Sequence, residues 1–512
     1  MSIRIHHAAA LLVAAALSAC GGGGGDSDSS PPVETKAGTF VGTITGFGSV
    51  IVNGIRFDDS GAMVTINDQP GTVAQLRVGM VVAVEGFVHD CPNAGVALCT
   101  GVASHIRFRN NLDGPITTIN RLTNTIQVMG RLVEFDDTTI VEGGTAADIS
   151  GLMVGDVVSV SGLQEQDRIR ARLVLRTGTY VDGTTPMRVY GTVANLNLSL
   201  GTCTVDGVPV GFQGLGSAAL PPGGPANGQY VEVSGTRGGN GLVTADRIQL
   251  RDRISYPDAA LVQLEGYVSG YVSVANFVVA GQGVDASNAI FRNGTAADLK
   301  NGAKVLVEGT MSGTVLLASK LIFRLEANAQ TTNVQIVAPI QGKAPATASL
   351  TVLGKSVATT PFTQFIDRLS TASGSNGNGN GGPPSPLAYA DLQVGDRVDV
   401  MAYRDASGAF VATRVERTAP DVVLIVRGPA DAKLPTTRLT LIGIDVSTGV
   451  NTWYRDIDGN LITDAAFYTM VQVPPAVSSM VRVAHPIVRP ASQSQYCIRS
   501  ATNSTKGVIS SR

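Results

Sequence analysis

Little in this chain points to chemistry. Aromatic residues make up only 5% of it, with one tryptophan, and there are five histidines in 512 residues. Neither sign of charge dominates, since 38 Lys and Arg face 40 Asp and Glu, so the electrostatic footprint of a nucleic-acid binder is missing. No "GxxxxGK[ST]" is present, no "GxGxxG" links a strand to a helix, and no "GxSxG" occurs. His485, in "VAHPIV", has no recognisable nucleophile motif around it. These absences argue against nucleotide binding and triad hydrolysis, so the chain is expected not to be an enzyme and to need no cofactor.

The first twenty residues, "MSIRIHHAAALLVAAALSAC", carry Arg4, an apolar run from Ala8 to Leu17 and small residues before a cysteine. That is the pattern of an export signal, and its apolar run is about half the ~20 residues of a permanent membrane helix. No other apolar stretch approaches that length. "LSAC" resembles the lipobox of bacterial lipoproteins, which implies lipidation of Cys20 and cleavage just before it. Gly21 is not aspartate, and the resemblance then favours anchoring in the outer membrane. "GGGGGDSDSSPPVETK" has almost nothing to bury and reads as a flexible tether.

What the chain has in abundance is glycine, 60 residues of it, and a phrase written five times. "LRVGMVVAV", "LMVGDVVSV", "PANGQYVEV", "LKNGAKVLV" and "LQVGDRVDV" carry Gly79, Gly155, Gly228, Gly302 and Gly395, spaced by 76, 73, 74 and 93 residues. The third and fifth residues after each glycine are always valine, and the residue between follows no chemical rule. Period-2 alternation of that kind marks a strand with one face in a core. The first glycine suits a turn, and the second (Gly86, Gly162, Gly235, Gly309) is expected to end the strand. An opening strand and a hairpin precede the phrase, turning at Asn53–Gly54 and Asp206–Gly207 in two copies. A short segment such as "TAADLK" is expected to make one helical turn. A closing strand follows, with alanine and an aliphatic residue three places on, a register that repeat two is expected to slip.

That order predicts an all-β chain of tandem small five-stranded OB-like barrels, about five clear copies plus a degenerate sixth, each with its own small core. A β-solenoid is the alternative, though the unit is long for one coil. The expected organisation is a signal peptide over 1–19, a tether over 20–36, and repeats over 37–110, 111–182, 183–256, 257–330 and 331–420. The fifth carries a disordered insert at 372–386, and a worn sixth unit with a tail fills 421–512.

The unit as a whole, with its "G-x-[IV]" strand, "NG" hairpin, "L-x-V-G-D-x-V-x-V-x-G" and "A-x-x-[IL]", resembles the domain-of-unknown-function family numbered 5666 over about Gly38–Thr418. The resemblance implies export and a β fold. It brings no catalytic residues with it.

Two clusters merit weighing. Cys91 and Cys99 in "CPNAGVALC" are expected to form a disulfide in an exported protein. With His89 and His105 they also spell "H-x-C-x7-C-x5-H", a possible zinc or copper set. In "RDIDGNLITD", Asp456, Asp458, Asn460 and Asp464 suggest calcium oxygens, while a hairpin turning at Asp458–Gly459 needs fewer assumptions. Whether Cys203 and Cys497 pair is left open. The functional expectation is a non-catalytic, lipid-anchored scaffold or binding protein of the cell envelope. Its partners are the membrane, through the lipid, and an envelope protein or glycan. Carbohydrate binding and metal binding are the alternatives.

Overall fold

The paired valines of the recurring phrase are 2% exposed or less in all five copies, which places the strand they define against a core. The computed structural model describes residues 35–89, 99–121, 123–144, 148–165, 167–237, 242–254, 256–324, 334–369, 387–405, 407–434, 437–456, 460–474, 478–486 and 496–501. The signal peptide, Cys20, nearly all of the tether and the insert at 372–386 lie outside them.

Barrel 1 shows the rule. Its opening strand, Thr35–Gly46, pairs with Val50–Val52, which pairs with Ile55–Asp58. The latter runs parallel to the closing strand Cys99–Phe108, whose other neighbour, Val81–His89, returns to the opening strand. The circuit is closed, a five-stranded Greek-key barrel of the OB type with one parallel step. Barrels 2 to 5 repeat it from the opening strands Leu112–Asn120, Met187–Asn197, Leu261–Ser273 and Val334–Ala344. The short segment before each recurring phrase makes one 3-10 turn.

The sixth unit opens with Val423–Leu434. Its Thr452–Arg455 runs parallel to Tyr496–Ala501, as the strand after the hairpin does in barrels 1, 2, 4 and 5, but among the described residues its hairpin strand Ile444–Ser447 pairs only with Arg438–Leu441. Among the described residues it alone carries an α-helix, Asp464–Met470.

The glycine of the recurring phrase has φ between +81° and +96° in every copy, a conformation that disfavours any side chain. Its N–H donates to the opening strand at Ile44, Ile116, Val193, Val268 and Ile340, over 2.8–2.9 Å. The aspartate of "VGD" locks the same turn: the Asp156 and Asp396 carboxylates accept from the amides of Met153 and Gln393, both at 2.8 Å. The phrase therefore ties the fourth strand of each barrel to the first.

The second glycine does not end the strand, which runs on past it to His89 in barrel 1. It marks a β-bulge in the partner strand. In barrel 1, Glu85 faces His105 and Gly86 faces Ala103, so Ser104 is the extra residue. A Cβ on Gly86, Gly235 or Gly309 would lie 2.1 Å from the carbonyl oxygen opposite, which is why the position is glycine. The bulge also explains a spacing of three where a flat strand gives two or four. Repeat two does not slip: Ala171 and Val174, both fully buried, take the usual places, and Arg172 is its bulge residue.

The barrels fuse in pairs through their opening strands, and two of the three pairs share one core. Residues Gly38–Val41 of barrel 1 run parallel to Leu261–Leu264 of barrel 4. Barrels 2 and 3 join through Leu112–Asp113 and Arg188–Val189, and barrels 5 and 6 through Gln335–Val337 and Ile425–Arg427. The cores follow: one apolar cluster spans barrels 2 and 3, another spans 5 and 6, and Val41 and Ala83 of barrel 1 pack in the cluster of barrel 4.

Candidate functional site

Where barrels 1, 4 and 5 meet over barrel 2, they leave a cavity of about 1070 Å³, just above the usual range of about 300–1,000 Å³ for small-molecule sites. The fused strands of barrels 1 and 4 supply Thr43, Gln263 and Glu265, alternate inward positions whose neighbours lie in the barrel cores. Barrel 4 adds Lys304, Glu308 and Arg324, barrel 5 adds Gln364 and Phe362, and barrel 2 adds Arg172.

Glu265 is 4% exposed and receives the Thr43 amide at 2.8 Å, with the Lys304 ammonium at 3.3 Å and the Arg324 guanidinium at 3.8 Å. Burial pushes its pKa up, but Lys304, Arg324 and Arg172 outweigh burial and hold it at about 2. Glu308 is met by Lys320 at 3.2 Å and by Gln263 Nε2 at 2.7 Å. Three buried oxygens of lining residues, Thr43 Oγ1, Gln263 Oε1 and Gln364 Oε1, have no partner among the described residues. Arg324 lies with its guanidinium carbon 3.3 Å from the Phe362 ring centre, tying barrel 4 to barrel 5.

Arg172 is 1% exposed. Its Nη1 meets Asp136 at 2.6 Å and Nη2 donates to the Tyr267 hydroxyl at 2.8 Å, bridging barrels 2 and 4. The corresponding bulge residues are Ser104, Asp246, Ser319 and Thr413. The three with hydroxyls bond a carbonyl of the neighbouring strand. An arginine among short polar residues is the sequence signal for this junction, and it shows only when Ala171 and Val174 are set in the register of the other repeats.

A second, smaller cavity of about 160 Å³ lies between barrels 2, 5 and 6. Gln335 Nε2 donates to both oxygens of Asp399 there, at 3.0 and 2.9 Å. Burial, reinforced by the nearby Glu416 carboxylate, pushes the Asp399 pKa up to about 6.

The residues singled out from the sequence are distributed otherwise. Cys99 is disulfide-bonded, and Cys91 lies outside the described residues. His89 and Cys99 line the large cavity, but His105 sits six residues along the same strand from Cys99, about 20 Å at ~3.3 Å per residue. His105 instead faces Thr65 Oγ1 at 3.2 Å and Glu85 at 3.9 Å, so the four proposed metal ligands are not brought together. Burial, then the charge of Arg107, lowers its pKa. Asp456 accepts from the backbone and side-chain nitrogens of Asn460 at 2.8 and 3.1 Å, inside an antiparallel pairing of Thr452–Arg455 with Leu461–Ile462. Asp464 instead opens the helix, and Asp458 lies outside the described residues. Among the described residues no group of three or more His, Cys, Asp or Glu is placed to hold a metal. Cys203 is free and buried, and burial pushes its thiol up to about 11.

Comparison with known families meets this geometry at the repeats. The model of the domain of unknown function DUF5666 matches residues 113–174, 190–249, 265–321 and 339–416, about half the chain and one match for each of barrels 2 to 5. The chain belongs to this family. Barrel 1 lies outside the DUF5666 matches although it closes with the same strand order, so the match is narrower than the repeat. No curated protein matches the chain.

Proposed function

We propose that this DUF5666 protein is a non-catalytic, lipid-anchored component of the bacterial outer membrane whose fused barrels hold a solute-binding cavity in fixed shape. The leader and "LSAC" support the anchor, and an envelope glycan fragment or another envelope solute is the ligand that this setting offers. The observation that carries the binding role is the set of buried oxygens, Thr43 Oγ1, Gln263 Oε1 and Gln364 Oε1, left without partners among the described residues around a roomy cavity. Leaving such groups unpaired costs about 1–3 kcal/mol each, a cost that a ligand's hydroxyls or water recovers. The ion pairs around Glu265 support binding over catalysis, because a carboxylate held at about 2 is not poised to move protons near neutral pH.

The test is a thermal-shift panel of neutral, anionic and cationic small solutes on the purified mature protein, repeated on Gln364→Leu. A ligand at ~100 times its Kd should stabilise the native state by about 2.7 kcal/mol, and the variant should shift less. If no member of the panel raises the melting temperature, the cavity is not a binding site.

A further inference from the structure

We propose that the cavity selects a small hydroxyl-bearing anion, a sugar acid by chemical class. This rests on the cavity being a binding site.

Charge is the first argument. Six lining residues are Lys or Arg and two are Glu; Arg172 is paired with Asp136 behind the wall, and the remaining five cations against two carboxylates still leave a positive excess. Both acids are already neutralised: Glu265 lies between Lys304 and Arg324, and Glu308 is paired with Lys320. A cationic ligand therefore finds no unspent carboxylate. Arg292, at the exposed end of the strand Ile290–Arg292, lines the cavity with no ion pair among the described residues. A guanidinium in that position is suited to a carboxylate, which it meets with two parallel hydrogen bonds.

Hydroxyls are the second requirement. Gln263 Nε2 is committed to Glu308, which leaves its Oε1 as an acceptor, and Gln364 Oε1 is also an acceptor without a donor among the described residues. Ionised carboxylate oxygens cannot donate to them, so charge alone leaves the deep end of the cavity unsatisfied. Thr43 Oγ1 can give or take a hydrogen bond, which suits a sugar hydroxyl.

Aromatic surface is the third. Of the rings that line the cavity, Phe40 and Phe323 are buried in barrel cores and Phe362 already carries Arg324, which leaves the half-buried Tyr403 as the ring to meet the apolar face of a pyranose.

The experiment is isothermal titration of the full mature protein with D-glucuronate, D-glucose and inorganic phosphate, each at low and at raised salt. Glucuronate should bind at least about tenfold tighter than glucose and than phosphate, since a charge-assisted hydrogen bond contributes roughly twice a neutral one. Raised salt should weaken glucuronate and leave glucose unchanged. Arg292→Gln is exposed and should melt like the parent protein, yet lose most of the preference for glucuronate. Gln364→Leu should weaken glucuronate and glucose alike. Glucose binding as tightly as glucuronate overturns the charge requirement, and phosphate binding as tightly overturns the hydroxyl requirement. If none of the three binds while the wider panel yields another ligand, the sugar-acid class is wrong and the binding role survives. If the panel yields nothing, the binding role itself fails.

Discussion

Asp399 occupies the free-choice position between two fixed valines of the recurring phrase, yet it is among the few residues whose protonation depends on how barrels meet. Its folded pKa of about 6 stands above the ordinary 3.8 because burial and Glu416 both disfavour the charge. The sign follows from linkage: the native state binds this proton more tightly than the unfolded chain does. The corresponding stability is present below pH ~4 and is lost as pH rises from about 4 through 6. Asp399→Asn keeps an oxygen for Gln335 and removes the titration. Its melting temperature should exceed that of the parent at pH 7.5, by a stability gain of about 2 kcal/mol or less, and the difference should vanish near pH 4. An unchanged gap between parent and variant across that range would assign the pH dependence elsewhere. Arg172 is the opposite case, a buried cation held by Asp136, Thr138 and Tyr267, where truncation would strand the Asp136 charge.

At the scale of elements, the fusion of barrels changes what a repeat means for stability. From the sequence each unit has its own strands and turns, and residues 183–256 look able to fold alone. In the structure, Leu112 and Ile116 of barrel 2 share one apolar cluster with Val189 and Val231 of barrel 3, and the opening strands of both barrels pair. A fragment of residues 111–256 should therefore unfold in a single cooperative transition, whereas 183–256 should melt far lower or show no native sheet by circular dichroism. Equal melting temperatures for the two would mean that the shared cluster adds nothing. The circuit of strands within a barrel was legible because alternating valines and turn glycines report local burial and backbone angle. The bulge was visible as an alanine with an aliphatic residue three places on, although its cause was not. Pairing between barrels was illegible, since Gly38–Val41 and Leu261–Leu264 meet across more than two hundred residues with no motif to announce it. The cavity was hidden for the same reason, its wall being assembled from strands of four units.

For the whole molecule, the proposed anchor and the proposed ligand cavity fall on separable parts of the chain. The described barrels begin at Thr35, and the cavity is built from barrels 1, 2, 4 and 5. Cys20→Ala in the native host should abolish fatty-acid labelling and move the protein out of the outer-membrane fraction. The same variant should keep the parent's melting temperature, because the sheet pairings that close each barrel lie wholly beyond Cys20. Its ligand preference should be equally unaffected. Membrane retention of Cys20→Ala, together with no lipid label on the parent, would remove the anchor and leave the cavity's chemistry as it stands. Loss of both localisation and thermal stability would instead show that the N-terminal segment takes part in the fold. Retained stability with lost anchoring is the expected result, and it makes Cys20→Ala a soluble form suited to the glucuronate titrations.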